Sequence, residues 1–159
     1  MQISPIGVIN TPFDDLKGMP IQPSGARDIE GTLVIHPEYE AGLIDLEGFS
    51  HIILLYQFHR STGYDLLVTP FLDTQKRGLF STRAPRRPNP IGLSIVELIG
   101  RDKNLVFVRG IDVLNNTPLM DIKPYVPQFD VRAVTATGWL EQAQKNAATQ
   151  KSDDRFIET

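Results

Sequence analysis

The chain contains no cysteine, no long apolar run and little helical periodicity. The absence of cysteine excludes a disulfide framework, a thiolate zinc site and a cysteine nucleophile, and it is compatible with a reducing compartment. The longest uninterrupted apolar run, Ile52–Tyr56, is far shorter than the roughly 20 residues of a membrane-spanning helix. The N-terminus lacks the basic start and apolar core of a secretory signal. We therefore expect a soluble, cytoplasmic protein that makes no use of a membrane.

Metal-site and nucleotide-binding motifs are also missing from the sequence. The three histidines, His36, His51 and His59, are scattered, and no acidic residue lies at metal-ligand spacing from them. The chain has no G-x-G-x-x-G, no P-loop and no G-x-S-x-G. We expect no metal, and the usual nucleotide-binding and hydrolase interpretations have no support.

The length and composition predict one globular domain. The chain has 159 residues, of which 41% are hydrophobic and 22% charged, and its formal net charge is -3. These are ordinary values for a domain with its own core. We place this domain at residues 1–149 and a polar C-terminal tail at residues 150–159.

Stretches rich in Ile and Val predict a mainly β fold. The continuously apolar His51–Phe58 predicts a strand buried on both faces, and the polar Arg101–Asn104 predicts the turn of a β-hairpin. Short helices are expected over Glu38–Asp45 and near the C-terminus over Trp139–Ala148, and Pro12–Glu30 reads as a long loop. The other predicted strands are Gln2–Ile9, Thr32–Ile35, Tyr64–Phe71, Gly92–Ile99 and Leu105–Ile111.

Positive charge is concentrated between Thr74 and Val96. This segment holds five of the 16 basic residues and none of the 19 acidic ones. Such a local field attracts polyanions even when the whole protein is slightly acidic, because screening lets the nearest charges dominate. The alternative is a solvated loop whose arginines pair with carboxylates elsewhere. We call Lys76–Arg87 the basic arch, since prolines at positions 85, 88 and 90 stiffen the chain in and just after it.

A second polar cluster spans Gly110–Tyr125. Asp112 ends an apolar strand, Asn115-Asn116-Thr117-Pro118 predicts a turn, and D-I-K-P-Y follows. Polar groups on a loop that leaves a strand can present backbone atoms to a ligand, although spacing alone favours an ordinary β-turn. His59 closes a predicted strand and precedes Arg60, a position that would open onto a cleft.

Four stretches together resemble the TsaA/TrmO family of S-adenosylmethionine-dependent tRNA methyltransferases. They are IGVINTPF, GFSHIILLYQFH, GLFSTRAPRRPNPIGLS and DIKPY, and the likeness extends over about residues 6–127. The resemblance implies a mainly β fold, a single-sheeted β-barrel with a few short helices, and a homodimer. It also implies methylation of N6 of threonylcarbamoyladenosine beside the anticodon of tRNA, with a threonine tRNA as the expected substrate.

Carried over position by position, the resemblance implies an S-adenosylmethionine site in four parts of the chain. These are Pro23, Ser24 and Gly25 in the long loop; His59 and Arg60; Arg83 and Leu93; and Asp112, Val113, Leu114 and Asn115. Arg83 would hold an anionic part of the cofactor or substrate, and the Asp112–Asn115 loop would bind adenine or ribose.

The catalytic base and the tRNA contacts stay open at this point. His59 and Asp121 are candidates for the base, and proton release to water is the alternative. The tRNA anticodon loop would contact the basic arch through Lys76, Arg77, Arg86 and Arg87. Phe80 and Tyr125 would be stacking platforms for RNA bases or would pack in the core.

Two other functions are compatible with the same residues. The fold could methylate another acceptor, such as a small molecule, or it could be a non-catalytic RNA-binding β-barrel that uses only the arch.

Overall fold

Eight strands and a few short helices make up the part of the chain that the computed structural model describes, residues 2–15, 17, 19, 23–71 and 73–141. The strands are β1 Gly7–Asn10, β2 Glu30–Ile35, β3 His51–Gln57, β4 Leu67–Val68, β5 Arg77–Gly78, β6 Ile91–Asp102, β7 Leu105–Arg109 and β8 Thr117–Pro124. The helical pieces are α1 Pro127–Asp130 and 3₁₀ helices at Pro23–Ala26, Pro37–Leu43, Leu46–Gly48, Leu79–Ser81 and Gly138–Glu141.

Six of the strands close into an antiparallel barrel in the order β1-β2-β7-β6-β3-β8. β4 and β5 form a separate two-stranded hairpin in the long connection between β3 and β6. The prediction of a mainly β, single-sheeted barrel with a few short helices is thus confirmed. No helix in the described ranges is long and apolar enough to cross a membrane.

The barrel interior is filled by aliphatic side chains that alternate along the strands. Because successive residues of a strand point to opposite faces, every second side chain enters the core. The fully buried members include Ile9, Leu33, Ile52, Leu54, Val96, Val106, Val108 and Leu119. The predicted hairpin is present as β6 and β7, and Lys103 in its turn has a φ of 53°.

The expectation that the His51 strand is buried on both faces was wrong. In β3, Ile52, Leu54 and Tyr56 are buried, whereas Ile53 and Leu55 are only half-buried on the outer wall. A barrel made of a single sheet has one enclosed face. No second layer of the described chain covers the outer face of this strand, so its apolar side chains remain partly exposed.

Sequence reasoning missed β8 and misplaced several boundaries. The predicted turn at Asn115–Pro118 is confined to Asn115 and Asn116, and Thr117 and Pro118 begin a strand. Pro118 precedes the pairing with β3, which starts at Leu119, and Pro124 ends the strand, so neither proline interrupts the ladder.

The remaining differences concern the ends of the predicted elements. The first strand begins at Gly7 instead of Gln2, and only Leu67–Val68 of the predicted Tyr64–Phe71 strand is paired. The predicted Glu38–Asp45 helix is the 3₁₀ helix Pro37–Leu43. Of the predicted Trp139–Ala148 helix, residues 142–148 lie outside the described residues, as does the tail at 150–159.

Candidate active site

Three long connections leave the barrel at the same end. They are residues 11–29 between β1 and β2, residues 58–90 between β3 and β6, and residues 110–116 between β7 and β8. The antiparallel registers place the end of β3, the start of β6 and the start of β8 together there. We call this the site end. Ten of the eleven cofactor residues implied by the family resemblance lie in these connections, and the eleventh, Leu93, lies near the start of β6.

A chain of hydrogen bonds runs from the barrel interior to the site end. The Ser94 hydroxyl donates to Asp112 Oδ1 at 2.9 Å, and Tyr56 Oη lies 3.0 Å from Ser94 Oγ. Because Ser94 commits its only proton to Asp112, the Tyr56 hydroxyl donates to Ser94. Tyr56 and Ser94 are 5% and 1% exposed, so the chain fixes the carboxylate from the inside.

The electrostatics of Asp112 depend on burial and on two partners. Loss of hydration raises the pKa of its carboxyl above the usual range, and the hydrogen bond from Ser94 and the positive charge of Arg83 partly offset this. Burial, followed by the nearby Asp112 charge, raises the pKa of Tyr56, so its hydroxyl stays protonated. Arg83 also acts on Tyr56. The basic arch and the Asp112 loop belong to connections that leave the barrel at the same end.

His59 lies at the same end, two residues beyond β3. Its Nδ1 is 3.3 Å from the hydroxyl of Thr117, which is buried at the start of β8. Burial and then the adjacent Arg60 lower the pKa of His59, while a hydrogen bond with the Gln57 backbone opposes this. The imidazole is therefore neutral at pH 7, as a general base must be before it accepts a proton.

The barrel wall opens beside this cluster. β6 pairs with β3 from Ile91 onward but with β7 only from Glu97, so its first half has no described strand on the β7 side. The 3₁₀ helix Pro23–Ala26 lies against β6, and the Ser94–Asp112 hydrogen bond bridges from β6 to the chain that follows β7.

Leu93 meets this opening with its backbone. Its side chain is 48% exposed on the outer face, opposite Ser94. The backbone groups of Pro90 and Leu98 hydrogen-bond on the β3 side. Because the bonding side alternates along an antiparallel strand, the odd-numbered residues between them direct their N–H and C=O groups to the open edge. Leu93 thus presents its N–H and C=O, not its side chain, to the opening.

Asn115 holds two of the connections together. Its Oδ1 accepts from the Thr11 N–H at 3.1 Å, and its Nδ2 donates to Asp14 at 2.8 Å. The Thr11 hydroxyl donates to the Val113 carbonyl at 2.7 Å. Val113 and Leu114 are 3% and 6% exposed, so their buried side chains hold the loop against the protein interior.

Most arginines of the basic arch have partners within the chain. Arg77 pairs with Asp73 at 2.6 Å and Arg86 with Asp65 at 3.8 Å, and the Arg87 guanidinium donates to the carbonyls of Thr82 and Ala84. Lys76 is exposed, and none of the ion pairs between described residues involves it.

Asp121 and Tyr125, which the sequence also singled out, lie outside the cluster of Asp112, Ser94 and Tyr56. Asp121 pairs in register with Leu55 on the outer wall and forms an ion pair with Lys123 at 2.7 Å. The Tyr125 ring packs edge-on against His51 at the opposite end of the barrel. A surface groove of about 660 Å³ around Phe107 contains none of the proposed site residues. The described residues include no cluster of three or more potential metal ligands.

Comparison with known proteins identifies the family. The sequence profile of the tRNA-methyltransferase O N-terminal domain matches residues 8–131. The chain belongs to the tRNA-methyltransferase O family. A relative from Pyrococcus abyssi, described as a "Probable S-adenosyl-L-methionine-binding protein", is 52% identical over 153 residues, which cover 96% of this chain and 83% of that protein.

Two further members of the family are substantially longer than this chain. A "tRNA (adenine(37)-N6)-methyltransferase" of Rattus norvegicus is 38% identical over 79% of this chain and 31% of its own length. The crystal structure of TrmO from Pseudomonas aeruginosa superposes with a TM-score of 0.73 at 38% identity, covering 87% of this chain and 62% of that chain. The chain therefore spans less than two thirds of the length of both.

Tyr56 and Ser94 are the site residues that sequence reasoning missed in this tRNA-methyltransferase O domain. Each lies inside a strand that reads as ordinary core. The available signals were the tyrosine within the aliphatic run of β3 and, on the neighbouring strand β6, a serine two residues after a glycine. Tyr56 pairs in register with Gly92, and a Cβ at Gly92 would collide with the Tyr56 ring.

Proposed function

We propose that this protein transfers a methyl group from S-adenosylmethionine to N6 of threonylcarbamoyladenosine beside the anticodon of a tRNA, with threonine tRNA as the first candidate. The observation that carries the proposal is that His59 and Asp112 lie at one end of a barrel of this family, with Arg83 in a connection that leaves the same end. A tRNA substrate in turn implies a cytoplasmic location.

The site end offers a matching partner for each polar part of the cofactor. The Arg83 guanidinium suits the methionine carboxylate, and the fixed Asp112 carboxylate suits a ribose hydroxyl or the amino group. The backbone edge at Leu93 and the 3₁₀ helix Pro23–Ala26 line the opening where adenine would lie. When bound, S-adenosylmethionine supplies a methyl group on a positively charged sulfur.

The residues of this chain would position the acceptor and manage one proton. N6 of the acceptor gains the methyl group as the bond from that carbon to sulfur breaks, and N6 loses its proton. Positioning at near-attack separation is the main contribution expected from the protein. We assign proton acceptance to His59 in preference to Asp121, because His59 is neutral and lies at the site end whereas Asp121 pairs with Lys123. Direct release to water is the alternative.

The tRNA anticodon loop would approach over the basic arch. Lys76 is exposed without an ion pair among the described residues, so it is the simplest phosphate contact. Among the described residues, the contacts of Arg77, Arg86 and Arg87 use only part of each guanidinium, so the other exposed N–H groups would reach phosphates while these contacts hold the side chains in place. The buried Nε of Arg86 is not one of these groups.

A homodimer would cover an apolar stripe on the outer wall. Ile91, Leu93 and Ile95 of β6 are each between 40% and 48% exposed, and Ile53 and Leu55 of β3 adjoin them in register. The charged Glu97, which pairs with Arg109, ends the stripe before Ile99. An apolar surface continuous over two strands favours burial against a second copy of the same surface.

The decisive experiment measures modified nucleosides. The protein is incubated with isotopically methyl-labelled S-adenosylmethionine and tRNA that carries threonylcarbamoyladenosine, and the digest is analysed by mass spectrometry. We expect a labelled, methylated threonylcarbamoyladenosine, and we expect Arg83→Ala to lower both cofactor affinity by calorimetry and turnover. Saturable cofactor binding with an unlabelled nucleoside peak would indicate another acceptor. Retained tRNA binding without cofactor binding would indicate a non-catalytic RNA-binding barrel.

A further inference from the structure

Phe80 is exposed over 74% of its surface although the preceding Leu79 is 1% exposed. A single exposed apolar side chain is common on proteins and needs no function. Phe80 differs in two respects: the backbone that carries it is tied down on both sides, and a guanidinium lies over its ring.

The turn that presents Phe80 is held by hydrogen bonds from several directions. The Thr82 N–H and hydroxyl both donate to the Leu79 carbonyl, at 3.0 and 2.8 Å. The Ser81 hydroxyl donates to the Gly78 carbonyl at 2.7 Å, and the Trp139 indole N–H donates to the Ser81 carbonyl at 2.9 Å. The ring is therefore presented to solvent by a turn held in place, which lowers the entropic cost of placing a ligand on it.

Arg87 completes the arrangement. Its guanidinium carbon lies 5.8 Å from the centroid of the Phe80 ring. The same guanidinium donates to the carbonyls of Thr82 and Ala84 at 3.0 and 3.1 Å, so it is anchored to the chain that follows the ring. A cation over an aromatic ring with most of the ring still exposed leaves a flat surface free for another flat group.

We propose that Phe80 and Arg87 form a stacking platform for an unpaired base of the tRNA anticodon loop. This inference rests on the proposed function. Unpaired RNA bases are recognised by stacking on aromatic rings and guanidinium planes, because every base has a π-face. Phe80 lies in the connection between β3 and β6, which also carries His59 and Arg83.

Charge favours RNA over a protein partner for this surface. The segment from Thr74 to Val96 contains no acidic residue, and the nearby carboxylates Asp73 and Asp65 already pair with Arg77 and Arg86. The surroundings of the ring therefore keep a net positive charge, which suits a phosphate backbone.

The test compares the tRNA affinity of Phe80 variants over a range of salt concentrations. The probe is an anticodon stem-loop RNA that carries threonylcarbamoyladenosine. Phe80→Ala and Phe80→Leu should each weaken binding about tenfold, whereas Phe80→Trp should retain it. Leucine is the matched control, because it keeps an apolar side chain but has no π-face. The salt slope should stay unchanged in these variants, whereas Lys76→Ala should reduce it by about one unit.

Each outcome decides between the platform and the wider function. Wild-type affinity in Phe80→Leu would overturn the platform and leave the methyltransferase proposal intact. A loss of affinity that accompanies a change of oligomeric mass in sedimentation would assign Phe80 to a protein contact and would also overturn it. If the wild type transfers no methyl group to tRNA, the proposed function fails, and the platform is then judged by RNA binding alone. Absence of RNA binding by the wild type overturns the platform as well.

Discussion

The Asp112 carboxylate gives up hydration in the folded protein and receives a hydrogen bond from Ser94 and the field of Arg83 in return. A raised pKa shows that these partners do not fully replace water. Such an arrangement costs stability and is typical of a group kept for binding. The cost should therefore be measurable when the charge is removed.

Asp112→Asn keeps the oxygen that accepts from Ser94 but removes the charge. The folded state binds the Asp112 proton more tightly than the unfolded chain does, so the stability due to this group falls as pH rises above the usual aspartate pKa. At pH 7 we therefore expect the variant to unfold at a higher temperature than the wild type. Its affinity for S-adenosylmethionine should fall about tenfold. Calorimetric melting and titration measure both.

Ser94→Ala provides the complementary variant. Loss of its hydroxyl leaves the carboxylate charged with one donor fewer, so the pKa of Asp112 should rise further and the pH at which cofactor binding is half-lost should move upward. If Asp112→Asn melts lower than the wild type at pH 7 and its deficit disappears in acid, the ionised carboxylate stabilises the fold and our account is incorrect.

The pairing of β3 with β6 depends on one small residue. Gly92 lies opposite Tyr56, and any side chain there would displace the Tyr56 ring that leads to Ser94 and Asp112. Substitution at this position should thus disturb packing and the hydrogen-bond chain together.

Gly92→Ala should lower the free energy of unfolding by about 1–3 kcal/mol, the usual cost of overpacking a core. It should also weaken cofactor binding, because the Tyr56 hydroxyl leaves Ser94. Gly78→Ala is the matched control: nothing lies within 4 Å of a Cβ there, so its unfolding free energy should stay within about 0.5 kcal/mol of the wild type. Urea denaturation compares the two, and equal stabilities would contradict the close approach of Tyr56 to Gly92.

The outer wall of the barrel carries the prediction that concerns assembly. In the proposed homodimer, Ile95 belongs to the apolar stripe, in register with Ile53. Ile95→Glu would bury a carboxylate without a partner, so the protein should become monomeric at micromolar concentration. Ile44→Glu is the control, since Ile44 is 67% exposed in the connection between β2 and β3, outside the stripe. Sedimentation equilibrium distinguishes them, and a wild type that is itself monomeric would refute the dimer.

Local pattern was sufficient where one segment decides its own structure. The β6–β7 hairpin was predicted correctly because alternating apolar residues flank a polar turn. β8 was missed because Pro118 and Asn115 suggest a turn, and only the register with β1 and β3 makes proline acceptable there. The arch was predicted to bind RNA phosphates, with arginines paired to carboxylates as the alternative. Nothing in its sequence reveals which arginines have partners within the chain, namely Arg77, Arg86 and Arg87.

The order of residue types along the chain determined the β class, the cationic segment and the family, since each depends on composition or on motifs within a short stretch. The tertiary structure decided that Arg83 and Asp112 lie in connections at the same end of the barrel, that Tyr56 and Ser94 form a hydrogen-bond chain to the Asp112 carboxylate, and that Phe80 stays exposed. These relations join residues far apart in sequence. They arise only when the barrel closes, because closure sets which side chains lose water and which remain in contact with it.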